Sequence, residues 1–235
     1  MAYHNLTFGG INSANFGVYI SANETFKTPE RVTNSYSVPG KNGDILIDEG
    51  RDENVSISYR CFVRSGFMNQ GREYIDKIKA LHGYQRLEDT VDDETFRIGF
   101  LSGDIEAIVS QMRESGYFDL TFNCKPQKYL NSGDVWQTVT QNEVLTNPTA
   151  QTAYPLIRVY GTGTIQIGDY GVNVLSANGY TDLDSETCDA YKGSTNCNGN
   201  ISQEDYFPVL KAGNNTVLFS GFSKVEIKTR WWRAI

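Results

Sequence analysis

Asp52-Glu53-Asn54-Val55-Ser56-Ile57-Ser58-Tyr59-Arg60-Cys61-Phe62-Val63-Arg64 is the stretch on which the fold turns. Val55, Ile57, Tyr59, Cys61 and Val63 take every second place, with Ser56, Ser58, Arg60 and Phe62 between them. Successive side chains of an extended chain point to opposite faces, so this alternation predicts a strand with one face in a core. After Gly116 the pattern returns: Phe118, Leu120, Phe122 and Cys124 alternate with Tyr117, Asp119, Thr121 and Asn123. Two such strands can share one sandwich core, with Cys61 and Cys124 as small buried hydrophobes.

Working outward, one stretch reads as helix. From Asn69 to Gly83, Tyr74, Ile75, Ile78 and Leu81 recur at three- and four-residue spacing, with Asn69 as N-cap, Gly83 as stop and His82 near the negative end of the helix. Upstream, Val38-Pro39-Gly40-Lys41-Asn42-Gly43-Asp44-Ile45-Leu46 sets two turn dipeptides between strand-like flanks. This predicts an extended hairpin or arm, or else an ordinary surface hairpin.

Beyond Pro126 the chain turns polar, and residues 131–153 read as a linker between an N-terminal domain over 1–130 and a C-terminal domain over 154–235. Short strands follow at Leu156–Tyr160, Thr164–Ile167, Tyr170–Leu175, Val217–Phe219 and Lys224–Trp232, separated by Gly, Asn and Asp. That rhythm predicts a second β-sandwich of jelly-roll type. The last strand completes this sandwich or returns to the first domain. The fold class expected is therefore mostly β, an N-terminal β-sandwich with one helix and a hairpin arm plus a C-terminal jelly-roll sandwich. A length of 235 residues accommodates both, and 14 Tyr and 12 Phe suit strands.

The chemistry of common enzymes is not written here. Gly161-Thr162-Gly163 lacks the rest of a phosphate-binding loop, and with only His4 and His82 a histidine triad or zinc site is hard to assemble. Asp182-Leu183-Asp184-Ser185-Glu186 lacks the glycine and terminal glutamate of a calcium loop and reads as a solvated turn. No cofactor, metal or catalytic residue is expected. Four cysteines without tight spacing read as reduced thiols, Cys188 and Cys197 lying in a polar loop. With 28 acidic against 21 basic residues the formal charge is -7, which argues against nucleic-acid binding while leaving room for a non-adhesive wall beside DNA. A soluble chain without a cleaved export signal is expected, since no apolar run is long enough to span a bilayer. Trp231-Trp232, between Arg230 and Arg233, hints at an interface or a sugar-stacking site. In a strand one ring must fill the core and the other stand exposed or meet a partner, so Trp232, Arg230 and Arg233 form the expected partner surface.

Segments along nearly the whole chain, in order, resemble the distal tail protein (Dit) family of siphophages that infect Gram-positive bacteria. They are Phe8-Gly9-Gly10-Ile11-Asn12-Ser13 with Phe16-Gly17-Val18, then Val38 to Asp44, then Tyr84 to Asp89 with Phe96-Arg97, then Gly116 to Pro126. In the second half they are Pro155 to Gly161, Asp182 to Glu186, Phe207-Pro208-Val209-Leu210, Gly213-Asn214-Asn215 and Arg230-Trp231-Trp232. The resemblance implies a non-enzymatic virion protein of the tail tip or baseplate, made in the host cytoplasm and serving host adsorption. It further implies a hexameric ring around the DNA channel, an arm at Val38 to Leu46 that embraces a neighbour, and galectin-like second domains. The partners implied are the tail tube protein, the tape measure protein, the tail-associated baseplate protein and receptor-binding machinery. A carbohydrate-binding, lectin-like module is the alternative reading of the residues.

Overall fold

Alternation becomes architecture through strand pairing. The computed structural model describes residues 3–22, 27–202 and 206–234. The chain divides into a first unit reaching Lys128 and a second over Tyr129–Arg233. The strands of the first are β1 (Leu6–Phe8), β2 (Ile11–Asn12), β3 (Val18–Ala22), β4 (Arg31–Tyr36), β5 (Ile45–Asp52), β6 (Val55–Val63), β7 (Gln85–Asp89), β8 (Thr95–Ser102), β9 (Ala107–Val109) and β10 (Gly116–Leu130), whose last two residues belong to the second unit.

One sheet in the order β2-β1-β7-β8-β10-β6-β3 makes the first unit's body. The two decisive stretches are neighbours in it, paired antiparallel from Gly116↔Val63 to Cys124↔Val55. Their alternate residues, Val55 to Val63 and Phe118 to Cys124, are buried in one core with Leu6, Phe8 and Leu87. Each such side chain withdrawn from water contributes roughly 1.5–3 kcal/mol, which sets the pairing register. The sheet curls on itself: Ile20 N, on edge strand β3, donates to His4 O at 2.8 Å, just ahead of β1 at the other side of the sheet.

The helix α1 covers Arg72–Lys79 and buries Tyr74 and Ile78. It differs at both ends from the expected Asn69–Gly83. A π-turn over Phe67–Gly71 precedes it, started by Gly66 at φ 78°, whose carbonyl accepts from Asn69, Gln70 and Gly71 N–H groups. Phe67 drives this wider turn by burying its ring 6.2 Å from Phe118, so Asn69 points to solvent and caps nothing. Gly71 lets the turn lie on β6, because a Cβ there would stand 3.0 Å from Val63. The helix ends at Lys79, ahead of His82 and Gly83.

The second unit contains β11 (Gln137–Val139), β12 (Glu143–Asn147), β13 (Leu156–Tyr160), β14 (Gly163–Ile167), β15 (Tyr170–Val174), β16 (Tyr180–Asp184), β17 (Asp189–Lys192), β18 (Thr195–Asn196), β19 (Gly213–Ser220), β20 (Lys224–Lys228) and β21 (Trp232–Arg233). Sheets β11-β20-β13-β16-β17-β18 and β12-β19-β14-β15 enclose a core of Ile157, Val159, Leu183, Val225 and Ile227 against Ile165, Ile167, Val172, Val174 and Val217. The crossing at Gly163 is tight: a Cβ there would stand 2.0 Å from Ser220 O, so only glycine fits.

Residues 131–153, expected as a linker, instead supply β11 and β12, paired with β20 and β19. Their polar composition misleads because the inward face of these short strands carries only two apolar side chains, Val139 and Leu145, with the buried Asn147 beside them. Asn147 closes the loop that follows, donating to Gln151 O and Leu210 O while accepting from Thr149. The expected last strand is broken between β20 and β21 around Arg230, which has φ 52°. Strand β21 pairs with β10, and Leu130 N donates to Trp231 O at 2.8 Å.

Candidate assembly surfaces

Val38 to Leu46 lies at the tip of a hairpin made by β4 and β5, a two-stranded sheet hydrogen-bonded to no other described strand. Lys41 N donates to Val38 O at 3.1 Å with Pro39 and Gly40 between, Gly40 at φ 81°, a type II turn. Gly43 follows at φ 82°, and Ser35 Oγ then donates to Asp44 Oδ2 at 2.8 Å. Near the root, Gly50 at φ 75° relieves a bulge where the pairing shifts between Arg31 and Thr33, and Arg31 holds Asp48 at 3.0 Å. The register puts Tyr36 opposite Ile45 and Asn34 opposite Ile47, so Tyr36, Ile45 and Ile47 share a face. They are 55%, 44% and 50% exposed, which is an unpartnered apolar surface on an element that is marginal by itself in water.

The tryptophan pair divides as its residue types require. Trp231 fills the second unit's core, while Trp232 is half-buried and its indole N–H donates to Thr152 O at 2.8 Å. The Arg230 guanidinium grips Asp184 at 2.7 and 3.0 Å. Burial works against that charge, but the Asp184 bonds outweigh it and hold the arginine protonated still more firmly. Arg233 is exposed.

Asp182 to Glu186, expected as a solvated turn, is a correction. Asp182 and Asp184 are the end of β16 and are 3% and 7% exposed. Arginines explain how carboxylates lie so deep: Arg158 binds Asp182 at 2.6 and 2.9 Å as Arg230 binds Asp184. Among the described residues no cluster of three His, Cys, Asp or Glu is arranged to hold a metal ion.

One cluster escaped the sequence reading. The Arg158 guanidinium lies 4.7 Å from the Trp136 ring centre and 4.4 Å from that of Tyr180. Beside it Tyr160 Oη donates to Glu226 at 2.8 Å, and Lys224 with Tyr160 holds Glu226 below the usual carboxylate range. The signal was present in the outward places of β13 and β16, where Arg158 and Tyr160 face Asp182 and Tyr180. It could be read only once those strands were known to pair.

No protein-family profile matches this sequence, and no curated protein matches it. The fold does have relatives. The Dit protein of phage SPP1 (gp 19.1), described as a paradigm of the hub adsorption apparatus in phages infecting Gram-positive bacteria, is similar at a TM-score of 0.72 and 14% identity, over 96% of this chain and 98% of that one. A chain of the phage p2 baseplate in its activated conformation with strontium is similar at 0.58 and 10%, over 96% and 97% of the two chains. The same baseplate with calcium is similar at 0.58 and 11%, over the same shares. From end to end, this chain has a Dit-like, mostly β fold.

Proposed function

We propose that the chain is a structural subunit of a phage tail tip or baseplate, acting by assembly and not by catalysis. The observation that carries this is a Dit-like fold over nearly the full length of both chains at a TM-score of 0.72. The finer reading is a hexameric ring around the DNA channel, with the Val38 to Leu46 arm on a neighbouring copy. Two features support it: the hairpin's apolar face lacks a partner among the described residues, and a head-to-tail contact repeated by rotation closes a ring. The formal charge of -7 suits a bore through which DNA passes without sticking. Tail tube, tape measure, tail-associated baseplate and receptor-binding proteins would be its partners in the virion. A lectin-like role had Trp232 as its anchor, and that side chain is half-buried with its N–H already bonded to Thr152.

The native mass of the purified protein, by size-exclusion chromatography with light scattering, tests the ring. A mass near six chains, or a multiple of it, supports the proposal. A monomer at every concentration, alone and with tail-tube partner, overturns it.

A further inference from the structure

A second apolar surface stands on the outer face of the first unit's sheet. Tyr19 pairs with Phe62, Phe62 with Tyr117, and Tyr117 with Ile108, so one straight row crosses β3, β6, β10 and β9. At about 4.8 Å per strand the row is roughly 14 Å long. Tyr3 packs at its end, with ring centres 5.2 Å from Tyr19 and 5.3 Å from Phe62. Ile108 is 76% exposed and Tyr117 57%, in places where a solvent-facing sheet normally carries polar groups. The neighbouring pair Arg60 and Asp119 keeps that rule, with an ion pair at 3.2 Å.

The turn at one end of the row is tied to the body of the unit. In the turn joining β9 to β10, Glu114 O accepts from Phe67 N at 3.0 Å, and its carboxylate accepts from Gly66 N at 3.2 Å. Burying a band of this kind is the usual reason for a sheet to expose it.

We propose that this row seats the Tyr36–Ile45–Ile47 face of the hairpin from a second copy of this chain, an inference that rests on the ring-forming reading above. Each copy carries one ribbon face and one row, and both remain exposed in the same unit. Joining ribbon to row covers both at every contact and repeats head to tail, whereas row against row would leave every ribbon bare. Charge agrees at the rim. Arg64 has no carboxylate within ion-pair distance among the described residues, and its guanidinium stands 5.7 Å from the centre of the Tyr3 ring. Within the hairpin Arg31 pairs with Asp48 and Asp52, and Arg51 with Glu49, which leaves Asp44, next to Ile45, as the hairpin carboxylate without a cation among the described residues; Lys41 at the turn is the remaining cation.

Disulfide trapping tests this. Ile45→Cys and Ile108→Cys are made separately, each with Cys188→Ser to remove the exposed native thiol, and are mixed under mild oxidation. The expected product joins position 45 of one copy to position 108 of another, forms only in the mixture, and falls about tenfold when Tyr117→Ser is added. Ile47→Cys with Tyr117→Cys repeats the test should the first pair be badly angled. A 108-to-108 product without the mixed one overturns the docking, as does absence of any mixed product from both pairs. Light scattering on the wild-type chain separates the two ideas: a six-chain mass without mixed product defeats the docking alone, and a monomer at every concentration, alone and with tail-tube partner, without mixed product defeats the ring as well.

Discussion

Tyr59 Oη donates to Asp89 Oδ2 at 2.7 Å, linking β6 to the end of β7, two strands that β8 and β10 separate in the sheet. The bond crosses the inside of the curl, and Asp89 also accepts from Val91 N and Asp92 N. Burial, then the nearby Asp89 charge, pushes the Tyr59 hydroxyl well above its ordinary range, so it donates throughout the neutral region. Tyr59→Phe keeps the ring and deletes the donor to a charged acceptor. It should lower the first unit's stability by about 1.5–3 kcal/mol, read as a lower urea midpoint at unchanged slope. An unchanged midpoint would show that the bond contributes nothing net.

The thiols should separate by burial. Burial pushes Cys61 up to about 12 and Cys124 up to about 11, both from 9.0. In the native protein Cys188, which is exposed, should react first with an aromatic disulfide reagent, Cys197 more slowly, and Cys61 and Cys124 only on unfolding. The linkage has a definite sign. The unfolded chain sheds these protons near 9 while the folded chain keeps them, so their contribution is complete below that pH and is lost as pH rises towards 11 and 12. Stability measured from about pH 8 to 10 should fall, and Cys61→Ala should flatten the fall.

Asp182 is the hinge of the second unit's outer cluster. Asp182→Asn keeps its volume but leaves the half-buried Arg158 guanidinium without its counter-charge. A loss of about 1–3 kcal/mol in thermal unfolding is expected. Emission should also change, because the indole of Trp136 lies 4.7 Å from that guanidinium. A stability loss with unaltered fluorescence would mean that the stack survives without the ion pair.

The hairpin glycines should matter to assembly before they matter to folding. Gly43 sits at φ 82°, which a β-branched side chain resists, yet it belongs to a sheet that no described core strand joins. Gly43→Val should lower the oligomer mass in light scattering while shifting the unfolding midpoint by less than about 1 kcal/mol equivalent. A loss of both together would mean that the hairpin supports the unit itself.

Much was legible along the chain. The strands at 55–63 and 116–124 announced themselves because period-two alternation is a local consequence of backbone geometry and a single buried face. The turns at Gly40 and Gly43 were equally readable, since Pro-Gly and Asn-Gly encode positive φ in the residues themselves. Apolar spacing also placed Tyr74 and Ile78 on the inner face of a helix. Its start was hidden, because the π-turn depends on Phe67 finding Phe118, a partner about fifty places along the chain.

Pairing decided the rest. Asp182 and Asp184 look like surface residues until β16 brings them to Arg158 and Arg230, when mutual neutralisation lets carboxylates sit buried. Val139 and Leu145 look incidental until two sheets close over them. Tyr19, Phe62, Tyr117 and Ile108 come from four separated segments, and no local pattern marks them as one surface. The sequence by itself determined which residues alternate, turn and avoid water, because those preferences lie within a few bonds. Only the tertiary structure decided which of them meet, because register between distant strands is chosen by the burial of whole faces at once.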